Sequence, residues 1–200
     1  MVVVLAIISV ITAVIINGQS TYNASLVLTD TAYTVAYSVR QAQSLGLSSR
    51  ATAGSGNAGY GIRFYHPQNY SIFVDTANAK QAPSNALCPL GMAGTPEGKP
   101  GNCRYDDADT AFRTYSLSRG FTISDYCGKN GSASLDCSPA SLTITFMRPD
   151  TRAVIIAESA TGAATVFTCA EIHVTAPGNG VTRVVRVSQL GEISVGQTCP

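Results

Sequence analysis

The run Met1 to Ile16, MVVVLAIISVITAVII, constrains this chain more than any other segment, and only Ser9 and Thr12 interrupt it. At 1.5 Å per residue a helix of that length spans roughly 24 Å, short of the ~30 Å hydrocarbon core of a bilayer. No basic stretch precedes it and no small-x-small cleavage site follows, because Asn17, Gly18 and Gln19 come next. A standard secretory signal is therefore a poor fit. The segment reads as a membrane helix whose first residues lie upstream of Met1.

Asp30 is the only charged side chain before Arg40. Between Asn23 and Leu45, Leu28, Ala32, Val35, Val39 and Ala42 recur at alternating spacings of four and three, which is one apolar face of a helix. Tyr33, Ala36 and Tyr37 widen that face, and Asp30, Arg40, Gln41 and Gln43 lie away from it. The spacing predicts a rod over residues 1–48, with a hinge at Asn17-Gly18 as the alternative. A Ser/Gly/Ala/Asn-rich linker over 49–59 follows.

From Tyr60 the period becomes alternating, and residues 60–200 are expected to form an antiparallel β domain. Segments 61–65 and 70–74 flank His66-Pro67-Gln68-Asn69 as a hairpin. Segments 114–117 and 121–124 form a second possible pair about Arg119-Gly120, and 142–146 with 153–157 a third about Arg148-Pro149-Asp150-Thr151. Strands over 165–175, 181–187 and 192–195 complete the set. The stretch 76–109 reads as a long loop.

Charged residues make up 12% of the chain and the net charge is +1, so no general attraction to nucleic acid or anionic lipid is expected. Cys88, Cys103, Cys127, Cys137, Cys169 and Cys199 all lie well beyond the apolar leader, and none forms a C-x-x-C pair. Zinc-ribbon and thioredoxin-like readings lose their support. An even count behind an apolar leader points to disulfides in an oxidising compartment, with free thiols in a cytosolic protein as the alternative. Spacing alone leaves the connectivity open. Neighbour pairings, Cys88–Cys103, Cys127–Cys137 and Cys169–Cys199, are favoured, and a bridge closing about 15 residues contributes roughly 3 kcal/mol.

An apolar helix, an amphipathic extension and a cysteine-bearing β body together resemble the type IV pilins and type II secretion pseudopilins. Members of that superfamily open with Gly-Phe-Thr-Leu-x-Glu and continue in a run similar to Met1 to Ile11. The resemblance places Met1 just after the family's Glu, so the cleavage Gly, the methylated Phe and the Glu match no position here, and the start is expected upstream. Ala42-Gln43-Ser44-Leu45 and the closing stretch Val181 to Ile193 resemble the GspH/FimT subgroup. The resemblance implies a pilin-like α+β fold and a single-pass inner-membrane position with the β domain outside. It also implies partners: other pilin or pseudopilin subunits, an inner-membrane assembly platform and a prepilin peptidase. The assembly helix would use Val2, Val3, Val4, Leu5, Ile7, Ile8, Val10, Ile11, Val14 and Ile15, with Leu28, Val35 and Val39 lower down, packed against the same stripe of neighbouring copies.

No catalytic residue and no cofactor is expected. Gly54-Ser55-Gly56-Asn57-Ala58-Gly59 matches G-x-G-x-x-G, but a helix precedes it and a strand follows, the reverse of a dinucleotide site, so a linker explains the glycines. Asp106, Asp107 and Asp109 lack the EF-hand pattern. A solvated acidic loop is preferred over a calcium site, although some major pseudopilins bind calcium. His66 and His173 have no nucleophile signature beside them, so hydrolase chemistry and a metal site are set aside. Arg148, Arg152, Arg183 and Arg186 could gather against phosphates. The FimT branch uses a Gly-Arg-x-Arg segment for DNA, however, and here Gly191-Glu192-Ile193-Ser194 puts an acid in its place. The expected function is a structural subunit of a pilus or pseudopilus. The alternative is a minor pilin or surface binding module whose β-domain loops recognise DNA, a surface or a secreted substrate, with the stretch 76–109 as the candidate contact.

Overall fold

The computed structural model describes residues 2–48, 58–65, 67–76, 101–148, 151–178 and 180–200, without the side chains of 14–23. Its first element is one helix, α1 (Val2–Leu47, 46 residues). No hinge interrupts it at Asn17-Gly18. A glycine costs a helix only about 1 kcal/mol against alanine, too little to break one that continues on both sides.

Ten strands follow: β1 (Gly59–Phe64), β2 (Asn69–Asp75), β3 (Thr110–Ser116), β4 (Thr122–Lys129), β5 (Ser141–Phe146), β6 (Ala153–Glu158), β7 (Ala164–Phe167), β8 (Cys169–Thr175), β9 (Thr182–Ser188) and β10 (Ile193–Val195). They build two sheets rather than one, a six-stranded sheet in the order β3-β2-β1-β5-β6-β7 and a four-stranded sheet in the order β10-β9-β8-β4. Every pairing is antiparallel. The hairpins β1–β2 and β5–β6 stand where alternation placed them. The pair expected about Arg119-Gly120 does not form, because β3 pairs with β2 while β4 pairs with β8 in the other sheet. Residues 165–175 likewise divide between the sheets at Thr168, whose N–H donates to the Lys129 carbonyl at 2.8 Å.

The C-terminal part of α1 wedges between the sheets. Leu28, Ala32, Val35, Ala36, Val39 and Ala42 form one core cluster with Ile62, Phe64, Ile72, Ile144 and Phe146 of one sheet and Ile172, Val174, Val185 and Val187 of the other. Tyr33 and Tyr37, expected to widen this face, are exposed instead. Polar residues flanking the apolar stripe tie the helix down. Arg40 Nη2 donates to the Ile193 carbonyl at 3.1 Å, Gln43 Nε2 to the Gly191 carbonyl at 3.1 Å, and Gln41 Oε1 accepts from Tyr115 Oη at 2.6 Å. Residues 101–105 cover the outer face of the six-stranded sheet. There Cys103, Met147, Val154 and Ile156 form a second, smaller cluster, which is why β5 and β6 are buried on both faces.

One finding corrects the membrane reading: among the described residues no helix is long and apolar enough to cross a membrane. The described apolar side chains at the start of α1 cover residues 2–13, about 18 Å of helix against the ~30 Å of a hydrocarbon core. The pilin-like fold class with its membrane-spanning helix, the single-pass inner-membrane position and the function of a membrane-anchored pilus or pseudopilus subunit are withdrawn on that ground. Leu28, Val35 and Val39 are corrected as well. Each is fully buried in the chain's own β core, so none is available to a neighbouring copy.

Candidate interaction surface

The N-terminal end of α1 is apolar on all sides. Val2, Val3, Val4, Leu5, Ile7, Ile8, Val10 and Ile11 are each between 52% and 82% exposed. The two hydroxyls in this segment do not break the apolar surface. Ser9 Oγ donates to the Leu5 carbonyl at 2.9 Å and Thr12 Oγ1 to the Ile8 carbonyl at 2.8 Å, so both are satisfied by the helix's own backbone. Val2, Val3, Ala6, Ile7, Val10 and Ile11 line a shallow apolar concavity of about 440 Å³. A helix that is hydrophobic all round is normally a buried one, and an exposed apolar patch of this extent marks an interaction site. Val14 and Ile15 lie outside the described side chains.

A second concavity, of about 340 Å³, opens between α1, strands β2 and β3 and the segment leading to β4. Its lining includes Tyr70 stacked on Tyr115, ring centroids 5.1 Å apart, together with Asp30 and Arg119. Both phenols are already engaged, Tyr70 Oη with Ser38 Oγ at 3.1 Å and Tyr115 with Gln41. Burial raises the Tyr70 phenol above its ordinary value, and nearby Tyr126, also desolvated, is pushed up to about 12.

The acidic triplet is not the solvated loop its sequence suggests. Only Asp107 is exposed, while Asp106 and Asp109 are buried and hydrogen-bonded. Asp109 accepts from Thr76 N at 2.9 Å and Asp106 N at 2.7 Å, and Asp106 accepts from Asn102 Nδ2 at 3.1 Å. Asp75, which no sequence pattern singled out, joins them by accepting from Asn102 N at 3.0 Å and Cys103 N at 2.7 Å. Desolvation first, and then the charges of Asp109 and Asp106, hold the Asp75 carboxyl well above the usual aspartate range. Among the described residues no group of three side chains could hold a metal ion.

The four arginines do not form one basic patch. Arg183 Nε donates to Thr29 Oγ1 at 3.4 Å, and Arg186 is ion-paired with Glu192 at 2.7 Å. The acid of the stretch Gly191-Glu192-Ile193-Ser194 is thus the one that neutralises Arg186. Arg148 and Arg152 flank the turn between β5 and β6, in the other sheet. His66 lies outside the described residues. His173 Nε2 meets Glu171 Oε2 at 2.9 Å, and Glu171 Oε1 accepts from Cys199 N at 2.6 Å. That carboxylate and the Cys169–Cys199 disulfide anchor the C-terminal tail, together with a bond from Lys129 Nζ to the Pro200 carbonyl. Cys127–Cys137 is closed too and Cys103 is disulfide-bonded, while Cys88 lies outside the described residues.

Fold and surface define an α+β chain of one long helix and two antiparallel sheets, with a bare apolar helix end. No protein-family model matches the chain, and neither a curated protein nor a solved structure matches it.

Proposed function

We propose that this protein is a non-catalytic interaction subunit that joins a protein partner through the apolar end of α1. The observation that carries the reading is the exposure of eight large aliphatic side chains around residues 2–11. Burying one such side chain from full exposure is worth about 1.5–3 kcal/mol, and these are only partly exposed, so covering the segment releases on the order of 10 kcal/mol. Association costs roughly 4–15 kcal/mol. The two are comparable, so the whole segment and not a single anchor has to be covered, as when a helix lies in an apolar groove of its partner. The β body supplies the rigid base from which the helix end projects, and no chemistry is assigned to it.

A photo-reactive amino acid placed at position 8, in the cell that makes the protein, tests this. A discrete protein adduct is expected from position 8 and none from exposed Leu190 on the β9–β10 turn. Adducts to lipid alone, or no adduct at all, would overturn the reading.

A further inference from the structure

We infer that the outer face of the six-stranded sheet carries an oxyanion-binding niche built from Arg63, Ser71 and Thr143. The register places the three side by side on adjacent strands, since Arg63 is directly opposite Ser71 on β2 and Thr143 on β5. Residues directly opposed across strands have Cβ atoms about 4.5–5.5 Å apart, so the guanidinium stem and the two hydroxyls share one patch. Two rings fix the guanidinium, with its Cζ lying 4.2 Å from the Tyr105 ring centroid and 5.1 Å from that of Tyr65.

What the patch lacks is an acceptor. Arg63 Nε is buried without a hydrogen-bond partner, and so is Thr143 Oγ1, on a residue only 1% exposed. Among the described residues no carboxylate pairs with Arg63. The neighbouring acids on this face are otherwise engaged, Glu158 by Arg104 at 2.8 Å and Asp75 by the backbone N–H groups of Asn102 and Cys103. A buried donor left without a partner costs about 1–3 kcal/mol, and a guanidinium presents five donors in a planar fork. A single oxyanion, the carboxylate or phosphate of a ligand, would accept from the fork and from both hydroxyls at once. Tyr65, whose ring flanks the guanidinium, is 40% exposed and marks the solvent side of the patch.

The test is thermal unfolding of the full chain at increasing sodium phosphate, with a parallel sodium acetate series, both against sodium chloride at equal ionic strength. A ligand that binds only the folded state raises the midpoint in step with ln(1 + [L]/Kd). At least one of the two anions is expected to raise it in this saturable way. Arg63→Gln and Thr143→Val should each weaken the apparent affinity by about tenfold or more. Phosphate also stabilises proteins non-specifically, but that increment is common to all variants. A rise in both anions or in acetate alone identifies a carboxylate-type site, and a rise in phosphate alone a phosphoryl site. If Arg63→Gln does not fold, Arg63→Lys, which keeps the charge and loses the fork, takes its place. The niche is disproved if neither anion produces a saturable rise, or if the rise persists undiminished in the variants.

Discussion

At the scale of single residues, the carboxyl of Asp75 has the plainest consequence. Its pKa is raised in the folded state, so the fold favours the protonated form. Below the ordinary aspartate value the group is protonated in both states, and its contribution to stability is fully present. As pH rises past that value the unfolded chain ionises first, and stability falls until the folded-state value is reached. Asp75→Asn should remove this limb. The variant starts lower at acidic pH, because one of two backbone N–H groups loses its acceptor at about 1–3 kcal/mol, and the gap narrows as pH rises. Unfolding midpoints of both proteins from acid to neutral pH check this, and parallel curves would refute it. Arg104 and Glu158 give a second residue-scale outcome. The pair is buried, each side chain 8% exposed, and Arg104 Nε and Nη2 both donate to Glu158 Oε1. Removing one partner strands a buried charge, so Glu158→Ala should cost about 3–5 kcal/mol, while Arg104→Met with Glu158→Leu should recover most of it. Urea unfolding with an unchanged slope measures both. Asp106, Asp107 and Asp109 were visible in the sequence as a cluster. The burial of Asp106 and Asp109 was not, because they sit with Asp75 at the far end of a hairpin, across a stretch that no local pattern spans.

Among the elements, what was legible followed from periodicity. The four-three spacing of Leu28, Ala32, Val35, Val39 and Ala42 gave the buried face of α1, and alternation gave β1–β2 and β5–β6 near their observed bounds. Tyr33 and Tyr37 misled because an aromatic ring at the edge of an apolar stripe suits solvent as well as core, and only packing decides. The errors at β3–β4 and at 165–175 share one cause. Local alternation shows a strand but not which sheet receives it, and at Thr168 a single residue carries the chain from one sheet to the other. The turn at Arg119 and Gly120, with φ of 58° and 75°, looks like a hairpin turn yet serves as a corner between sheets. The end of α1 carries a constraint of the same non-local kind. A Cβ on Gly46 would sit 2.4 Å from the Phe146 carbonyl oxygen of β5, which is backbone and cannot swing aside. In an open helix Gly→Ala gains about 1 kcal/mol. Here Gly46→Ala should lower stability instead, by about 1–3 kcal/mol as the helix end is forced off the sheet. A lower unfolding midpoint is the expected reading, and a higher one would show that the helix end does not press on β5.

Across the whole molecule, one helix serves two surroundings, and a single type of substitution separates them. Val35 is 0% exposed between the sheets, whereas Ile8, on the same helix, is 54% exposed and touches no part of the β body described. A glutamate at position 35 would place an unpaired carboxylate in an apolar core, at a cost of several kcal/mol, a large part of the 5–15 kcal/mol that holds an ordinary domain together. Val35→Glu should therefore unfold the chain or leave it with a broad, low transition. A glutamate at position 8 keeps its water in the free protein, so Ile8→Glu should leave the unfolding midpoint within a degree or two. In an assembled state the same carboxylate would have to be desolvated against the partner's apolar surface, and association should weaken by a hundredfold or more, about 2.7 kcal/mol. Calorimetry reads the first effect, and crosslinking from a second reporter at position 11 reads the other. If Ile8→Glu lowers the midpoint as Val35→Glu does, the helix end belongs to the core of its own chain. If it changes neither stability nor crosslinking, the apolar end is not what the partner holds.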